Sequence, residues 1–408
     1  MLYLCYLGIM EPLVQTQVIP YLEGLVSADF GVVLLTFEPR RLSTNGWRVL
    51  RAALWARGIE WHSLRYHKRP SIPATLFDIA VGTAYAAHLI RTRSITVVHA
   101  RSHVPAAMAL ILRRLLGVRF VFDVRGLLAE EYADAGLWRL GGWVYRVVKW
   151  SEEIFLAQAD ATVVLTERVR RWLFDVQRAH VDGHPPVEVI PCCVDLQKFE
   201  VDPERVRRLR NRLGLDGAPI MVYTGKFGGW YMAGQTVDFF CIARHYFPGL
   251  VFLVLTQSDT GIITEEFLRR GLAADAYRCL TVLPEEVPEY LALGDFAVCF
   301  IKPCFSKIAS SPTKIGEYLA AGLPVVYNTG IGDLDELEGE RVGAPVTAFR
   351  ESDYDVAANQ IRVLLSDREN VASRCRALAR HRFGLATVGV PRYLRLYAGL
   401  VGHRSASA

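Results

Sequence analysis

The sequence contains no long hydrophobic segment. None of its apolar runs approaches the ~20 residues that a transmembrane helix needs. The opening stretch "MLYLCYLGIM" has no basic start and no small-residue cleavage site, so we do not expect a signal peptide. These absences predict a cytoplasmic protein, with attachment to the inner face of the cell membrane as the alternative location.

Cysteine motifs and strong net charge are also missing. The eight cysteines are scattered, no C-x-x-C occurs, and Cys192 and Cys193 are adjacent, so neither a zinc site nor a disulfide framework is expected. The formal net charge is only +5. That value is too weak to indicate a nucleic-acid partner, but it is compatible with anionic substrates or an anionic membrane surface.

The common nucleotide motifs are absent as well. No G-x-G-x-x-G follows the first strand of either half, which argues against a dinucleotide oxidoreductase, and no G-x-x-x-x-G-K-[ST] is present, which argues against a P-loop enzyme. No Asp-x-Asp triplet follows a predicted strand in the way typical of a metal-held diphosphate. We therefore predict no metal and no cofactor.

What the chain does contain is a repeated alternation of strand-like and helix-like segments. Its 408 residues are enough for two domains of roughly 200 residues each. Predicted strands lie at 2–7, 31–37, 96–100, 119–124, 161–166 and 187–191, and after an arginine-rich stretch at 220–225, 251–256, 279–283, 295–300 and 323–327. Strands that alternate with helices predict two doubly wound parallel sheets of the α/β class.

One stretch in the second half, "SSPTKIGEYLAAGLPVV" (310–326), predicts a helix followed by a buried strand. Ser311 is a good N-cap and Pro312 suits the first helical position. Free amides, the helix dipole and Lys314 favour an anion there, typically a phosphate. Glu317 is explained if it accepts hydrogen bonds from the hydroxyls of a nucleotide ribose. A well-capped surface helix without a ligand is the alternative.

Several segments, in this order and spacing, resemble one enzyme family. They are "EPLVQTQ" (11–17), "VVHARSHVPA" (97–106), "FDVRG" (122–126), "VIPCCVDLQKF" (189–199), "YTGKFGGWYM" (223–232), "SPTKIGEYLAAGLPVV" (311–326) and "RYLRLY" (392–397). The chain resembles the retaining family-four glycosyltransferases of the GT-B fold, and it is most similar to the bacterial surface-polysaccharide type.

The resemblance implies a fold and a domain plan. It implies two Rossmann-like doubly wound domains that face each other across a cleft, with an acceptor-binding domain at 1–200 and a nucleotide-sugar-binding domain at 201–380. Residues 381–408 would form a helix that crosses back to the first domain, followed by a short tail.

The resemblance also implies a reaction. The enzyme would transfer a sugar from a nucleotide-diphosphate sugar to a lipid-linked or glycan acceptor with retention of configuration, without a metal, in the assembly of cell-envelope polysaccharide. The alternatives are a nucleotide-sugar epimerase on the same fold and a non-catalytic nucleotide-sugar-binding protein.

The family's donor site maps onto the second half. Lys226 stands where the family has an arginine after the first strand of that domain, and Glu317 stands where its second glutamate contacts the ribose. Ala309 replaces the family's first glutamate, so the resemblance implies no particular donor sugar. The implied donor-binding residues are Gly225, Lys226, Ser311, Pro312, Thr313, Lys314, Glu317 and Gly332.

In the first half, Arg125 stands where the family often has a histidine. An arginine stabilises negative charge rather than moving protons, so Arg125 joins Lys226 and Glu317 as the predicted catalytic residues. Gln15, Thr16 and Gln17 would begin the first helix. The implied acceptor-side residues are Gln15, Thr16, Gln17, Arg101, His103 and Asp123, and capping or solvent-facing roles are the alternatives for these side chains.

Residues 136–156 are rich in tryptophan and basic side chains. Trp143, Val147, Trp150 and Ile154 recur at helical spacing, and Arg139, Arg146 and Lys149 lie largely off that stripe. This pattern is typical of a helix that lies on an anionic membrane. The alternative is a helix that packs its apolar stripe on its own sheet.

Overall fold

The computed structural model describes residues 1–39, 43–177 and 185–402. It divides the chain into two compact units. Unit 1 comprises Met1–Pro191, Phe305–Ser310 and the segment from Val388 on, and unit 2 comprises Cys192–Cys304 and Ser311–Thr387. The predicted tail at 403–408 lies outside the described residues. Among those that are described, no helix is both long and apolar enough to cross a bilayer.

Unit 1 is built on a parallel sheet whose described part has seven strands in the order β3-β2-β1-β4-β5-β6-β7. In the centre, Leu4 of β1 pairs with Leu35 of β2 and Ala100 of β4. The central strands are buried on both faces, as their near-continuous apolar sequences predict. The strands are Leu2–Cys5 (β1), Val32–Glu38 (β2), Ile59–Arg65 (β3), Val97–Arg101 (β4), Arg119–Asp123 (β5), Ala161–Val164 (β6) and Val187–Val189 (β7).

Helices cover both faces of this sheet. The connections from β3 to β4, β4 to β5 and β5 to β6 run in one direction, and right-handed crossovers place their helices on the same face. Helix α5 packs against both α4 and α7, which makes these three helices one layer. The helices are Pro12–Gln17 (α1), Ile19–Val26 (α2), Thr44–Ala56 (α3), Ser71–Thr92 (α4), His103–Leu116 (α5), Leu128–Asp134 (α6), Trp143–Gln158 (α7) and Glu167–Arg170 (α8).

Unit 2 repeats the plan with a parallel sheet of six strands, among the residues described, in the order β10-β9-β8-β11-β12-β13. The prediction of two parallel α/β domains is confirmed. The strands are Ile220–Thr224 (β8), Val251–Leu255 (β9), Tyr277–Leu280 (β10), Phe296–Cys299 (β11), Val325–Asn328 (β12) and Gly343–Val346 (β13). The helices are Pro203–Arg212 (α9), Ala233–Tyr246 (α10), Thr260–Leu268 (α11), Val287–Leu291 (α12), Thr313–Ala320 (α13), Glu351–Leu364 (α14) and Arg368–Leu378 (α15).

The last helix, Val390–Gly402 (α16), belongs to unit 1 and packs against α2. Its tyrosines Tyr393 and Tyr397 are buried. The hydroxyl of Tyr397 lies 2.6 Å from Nδ1 of His99 on β4. The end of the chain therefore contributes side chains to the interior of the first unit.

Both sheets share one feature that positions ligands. In each, the strand order reverses beside the first strand, between β1 and β4 in unit 1 and between β8 and β11 in unit 2. In open parallel sheets of this kind, the crevice at the carboxyl ends of the strands next to such a switch point is where ligands bind.

Candidate functional site

The switch point of unit 2 holds a buried lysine. Lys314, in the first turn of α13, is only 6% exposed. Its Nζ lies 4.0 Å from the ring centroid of Tyr223 and 3.6 Å from that of Tyr231. No described residue hydrogen-bonds to this nitrogen. An ammonium group withdrawn from water in this way needs an anion to compensate it.

Burial has opposite effects on the two charged groups of α13. It lowers the pKa of Lys314 to about 8, although the negative potential of Cys299 and Glu317 opposes the shift. It raises the pKa of Glu317, and there Lys314 provides the opposing effect. The two side chains lie one turn apart on one helix, so a bound anion would stabilise the charged lysine.

The start of α13 differs from the prediction. The helix begins at Thr313 with Pro312 as its N-cap, and no side chain caps it. Ser311 lies before the cap, and its hydroxyl accepts a hydrogen bond of 3.0 Å from the Cys192 amide. The prediction of Ser311 as N-cap is wrong because this amide takes its oxygen, and no side-chain oxygen caps the first amides of α13.

The predicted loop residues follow the neighbouring strands. β8 ends at Thr224, and Gly225 follows it with a φ of 93°, a left-handed conformation that favours glycine. Lys314 Nζ lies 3.7 Å from where a Cβ atom of Gly225 would stand. Lys226, the next residue, is exposed. Gly332 is buried in the turn after β12. The ends of β8 and the start of α13 thus meet around Lys314.

Ala309 lies in the segment Phe305–Ser310, which is part of unit 1. Its side chain is buried in the hydrophobic core of that unit. In the same segment, Lys307 pairs with Glu131 at 3.1 Å, and the Ser306 amide donates to Asp134 at 2.9 Å. In the family that the sequence resembles, the first glutamate stands at this position. Here a core side chain occupies it.

In unit 1, Arg125 is held by a buried polar network. The Asp123 carboxylate is inaccessible to solvent, accepts a 2.8 Å hydrogen bond from Arg125 Nε and lies 3.2 Å from His99 Nε2. Arg125 Nη2 donates to the Tyr393 hydroxyl at 3.1 Å. Asp123 therefore does not face solvent, and its position suits orientation of Arg125 rather than direct contact with an acceptor.

Electrostatics keep this network in a defined charge state. Burial alone would raise the pKa of Asp123, but Arg125, His99 and Arg101 hold it well below its usual range. Burial lowers the pKa of His99, although Asp123 opposes the shift. Asp123 is thus an anion between guanidinium groups, and the charges are fixed before any ligand binds.

Arg101 adds a second cation at the same switch point. It is the last residue of β4, is 7% exposed and lies 3.8 Å from the Asp123 carboxylate. Its Nη1 has no hydrogen-bond partner among the residues described. Two guanidinium groups thus face one carboxylate. His103 is buried nearby on α5, with its Nε2 3.2 Å from Glu152.

The predicted residues of the first helix lie elsewhere than expected. Gln15, Thr16 and Gln17 form the last turn of α1, because the helix begins at Pro12. Gln15 donates to the carbonyl of Ile9 at 2.6 Å, and Thr16 to that of Pro12 at 2.8 Å. Gln17 is buried. The prediction that these residues begin the helix is wrong, and only Thr16 is exposed.

Four tyrosines of these sites were not predicted. Tyr223 and Tyr231 flank Lys314, while Tyr393 and Tyr397 join the network around Asp123. The spacing of four residues in "RYLRLY" places the last two on one helix face, a usable signal. Nothing in the sequence connects Tyr223 and Tyr231 with a lysine more than eighty residues later.

Most of the predicted apolar stripe of α7 is exposed, and only its fourth member, Ile154, is half-buried. Trp143, Val147 and Trp150 all face solvent, and the helix packs through Glu152, Phe155 and Leu156 instead. The alternative that this stripe packs on the sheet is therefore wrong.

Of the basic residues predicted beside the stripe, Arg139 and Arg146 are exposed. Lys149 instead forms ion pairs with Glu130 at 2.9 Å and Glu152 at 2.5 Å. The prediction that Lys149 contributes to a basic surface is thus wrong, because two carboxylates already neutralise this lysine.

Within the described part of the chain, no group of three or more His, Cys, Asp or Glu side chains is arranged to hold a metal ion. The cations at the two switch points are protein side chains: Lys314 in unit 2, and Arg101 and Arg125 in unit 1.

Comparison with known proteins adds a family match to this geometry. Residues 14–198 match the model of Glycosyltransferase Family 4. A search of curated protein sequences finds no significant match. The family match covers most of unit 1 and none of the residues of α13.

Solved structures share the fold of the whole chain, which matches that of GT-B glycosyltransferases. HepE from Anabaena, solved with UDP and glucose, is 14% identical, with 98% of this chain and 99% of that chain covered at a TM-score of 0.69. A glycosyltransferase from Rickettsia africae is 13% identical, with 98% of both chains covered and a TM-score of 0.73. WaaG, a glycosyltransferase involved in lipopolysaccharide biosynthesis, is 14% identical, with 93% and 95% covered and a TM-score of 0.65.

The buried ammonium predicts a pH-dependent stability. Because the folded-state pKa of about 8 lies below the ordinary 10.5, the unfolded chain binds more protons between these values, and the free energy of unfolding rises with pH there. Lys314→Met removes the buried charge. In denaturant titrations without ligand, the variant should be more stable than the parent at pH 7 by on the order of 1–3 kcal/mol, and this advantage should shrink as the pH approaches about 10.

The control is Lys226→Met, which removes an exposed ammonium that stays hydrated in the folded protein. Its stability difference from the parent should not change over the same pH interval. A constant difference for Lys314→Met as well, or a parent that is more stable at pH 7, would show that Lys314 is not a desolvated cation.

Proposed function

We propose that the protein is a glycosyltransferase that moves a hexose from a nucleotide-diphosphate sugar to an acceptor hydroxyl with retention of configuration. The observation that carries the proposal is the buried Lys314 ammonium, which lacks a hydrogen-bond partner among the described residues and lies in the first turn of a helix at a sheet switch point. The match of unit 1 to Glycosyltransferase Family 4 supports the choice of reaction.

In this proposal, unit 2 binds the donor. The diphosphate interacts with the Lys314 ammonium, the free amides at the start of α13 beginning with Thr313, and the Lys226 ammonium beyond β8. Glu317, one turn along α13, accepts hydrogen bonds from the ribose hydroxyls. UDP is the first nucleotide to test, because HepE was solved with it.

The chemistry then needs no metal. As the sugar–phosphate bond breaks, negative charge grows on the leaving diphosphate, where Lys314 and Lys226 stabilise it electrostatically. The acceptor attacks from the same face, and the leaving phosphate oxygen takes the proton of the acceptor hydroxyl. Arg125, oriented by Asp123 and Tyr393, stabilises negative charge and transfers no proton.

The acceptor belongs to unit 1 in this account. Two guanidinium groups, those of Arg101 and Arg125, face the single Asp123 carboxylate, so the switch point of unit 1 has an excess of positive charge. An acceptor that carries phosphate, such as a lipid-linked sugar, would balance that charge. This acceptor class fits the assembly of bacterial surface polysaccharide on the inner face of the cell membrane, with the chain bound peripherally through residues 136–156.

The donor site predicts different losses for two substitutions on α13. Glu317→Ala should weaken UDP and uridine alike by about ten- to a hundred-fold, because it removes charged hydrogen bonds to the ribose. Lys314→Ala should weaken UDP much more than uridine, because its charge faces the diphosphate. Calorimetric titration with both ligands measures these losses.

Matched controls in unit 2 are Glu351→Ala and Lys198→Ala, which change the same charges at exposed positions. Both should bind UDP as the parent does. If Glu317→Ala also binds UDP like the parent, α13 is an ordinary helix and the proposed donor site is wrong.

Turnover distinguishes the proposed function from the two alternatives. The parent is incubated with UDP-sugars and a chelator, with and without lipid-linked sugar acceptors. We expect nucleoside diphosphate release that depends on the acceptor and persists in the chelator. An isomerised donor would indicate an epimerase, no turnover with any donor would indicate a binding protein, and restoration by Mg²⁺ or Mn²⁺ after loss in chelator would contradict the role of the lysines.

A further inference from the structure

The outer face of the helix layer formed by α4, α5 and α7 in unit 1 exposes large apolar side chains on all three helices. They include Leu76 and Phe77 on α4, Ile111 and Leu115 on α5, and Trp143 and Trp150 on α7. Leu115 is 70% exposed, Trp143 69% and Leu76 61%. The stripe seen on α7 therefore belongs to a layer that exposes apolar residues on all three of its helices. We call the solvent side of this layer the outer face.

Apolar residues exposed singly are normal on soluble proteins, but an extended apolar surface usually marks an interaction site. On the outer face the exposed residues recur on three adjacent helices, which pack side by side. The described helices of unit 2 expose only a few large apolar residues, including Leu268 on α11 and Val363 on α14. Elsewhere in unit 1, α3 exposes Val49 and Trp55. Large exposed apolar residues are thus concentrated on the helices of unit 1, and most of them lie on this layer.

The exposed charges of the same layer are mostly positive. Its three helices contain three acidic residues, and two of them, Asp78 and Glu152, are buried in polar contacts. Helix α5 contains no acidic residue. The exposed basic residues are Arg91, Arg114 and Arg146, one on each helix. The outer face therefore combines apolar and cationic groups, and Glu153 is its one exposed carboxylate among the described residues.

We propose that the outer face of α4, α5 and α7 docks on the surface of an anionic lipid bilayer. The proposal rests on the proposed function for a lipid-linked acceptor. It extends the membrane contact proposed there from residues 136–156 to a surface formed by three helices. Tryptophan and arginine suit the boundary between headgroups and acyl chains, where an apolar body is buried and a polar end stays hydrated.

Charge complementarity favours an anionic bilayer over a second copy of the chain as the partner of the outer face. Two outer faces brought together would oppose Arg91, Arg114 and Arg146 with the same cations, and like charges across an interface are unfavourable. Anionic headgroups attract such groups electrostatically. Lys149 takes no part, because Glu130 and Glu152 neutralise it.

The test measures binding of the full chain to vesicles of phosphatidylcholine with about 30 mol% phosphatidylglycerol, and to phosphatidylcholine alone, by cosedimentation. The parent should prefer the anionic vesicles. The Arg114→Gln, Arg146→Gln double variant should bind them about ten-fold or more weakly, and the difference should fade at high salt. The Leu76→Ser, Phe77→Ser double variant should lose about ten-fold or more, because the buried apolar area falls.

Matched controls lie in unit 2, at positions of similar exposure. Leu268→Ser with Val363→Ser, and Arg208→Gln with Arg212→Gln, should leave vesicle binding unchanged. A denaturant unfolding transition like that of the parent shows that each variant is folded. Vesicle binding needs neither donor nor acceptor, so its outcome is independent of whether the protein transfers sugar.

Three results would overturn the proposal. One is unchanged vesicle binding by the Leu76→Ser, Phe77→Ser variant when Trp143→Ser, Trp150→Ser abolishes it, which would restrict the contact to α7. Another is equal binding of the parent to neutral and anionic vesicles. The third is a dimer in lipid-free buffer that the α4 substitutions dissociate, which would make the outer face an interface between copies of the chain.

Discussion

An ammonium group held between two tyrosine rings, with no carboxylate of the described residues bonded to it, is the constraint on which the candidate site of unit 2 depends. Cation–π contacts with Tyr223 and Tyr231 compensate part of the hydration that Lys314 loses. They do not compensate all of it, since burial still lowers the pKa to about 8. A protein that maintains such a group has a strong, preformed preference for an anion, because the desolvation occurs on folding and not on binding.

Unit 1 also buries a charged group, but the charge has the opposite sign. There the buried group is the Asp123 carboxylate, and it fixes Arg125 together with the Tyr393 hydroxyl from the last helix. The result is a cation whose direction is set by the core rather than by a surface loop. Because α16 supplies that hydroxyl, a helix late in the chain helps to position Arg125, a candidate catalytic residue that follows β5.

The sequence predicts the repeated parallel sheets well, because buried parallel strands are continuous apolar runs. Strands β3 and β13 were not predicted, each for a different reason. β3, "IEWHSLR", mixes polar side chains with apolar ones, as a strand at the sheet edge can. β13, "GAPV", is short and contains both Gly and Pro, which normally indicate a turn.

In the candidate site, the sequence predicts which residues take part, but it does not predict which residues contact each other. The position of Lys314 at a helix start follows from the local sequence, whereas its burial between Tyr223 and Tyr231 depends on tertiary packing. Ser311 has the right chemistry for a cap, but a distant amide competes for its oxygen. The exposure of Trp143 and Trp150 was one of two interpretations, and the sequence could not decide between them, because an amphipathic pattern suits both a membrane surface and the protein's own sheet.

We propose that a nucleotide diphosphate binds the Lys314 ammonium. The most direct test is NMR of the lysine side chains in protein labelled at the lysine Nζ, with Lys314→Met used to assign the signal. Without ligand the Lys314 signal should titrate with a pKa of about 8. Saturating UDP should raise that pKa by one unit or more, about 1.4 kcal/mol per unit, whereas uridine should leave it nearly unchanged. An unligated pKa near 10.5, or a titration that UDP does not move, would contradict the account.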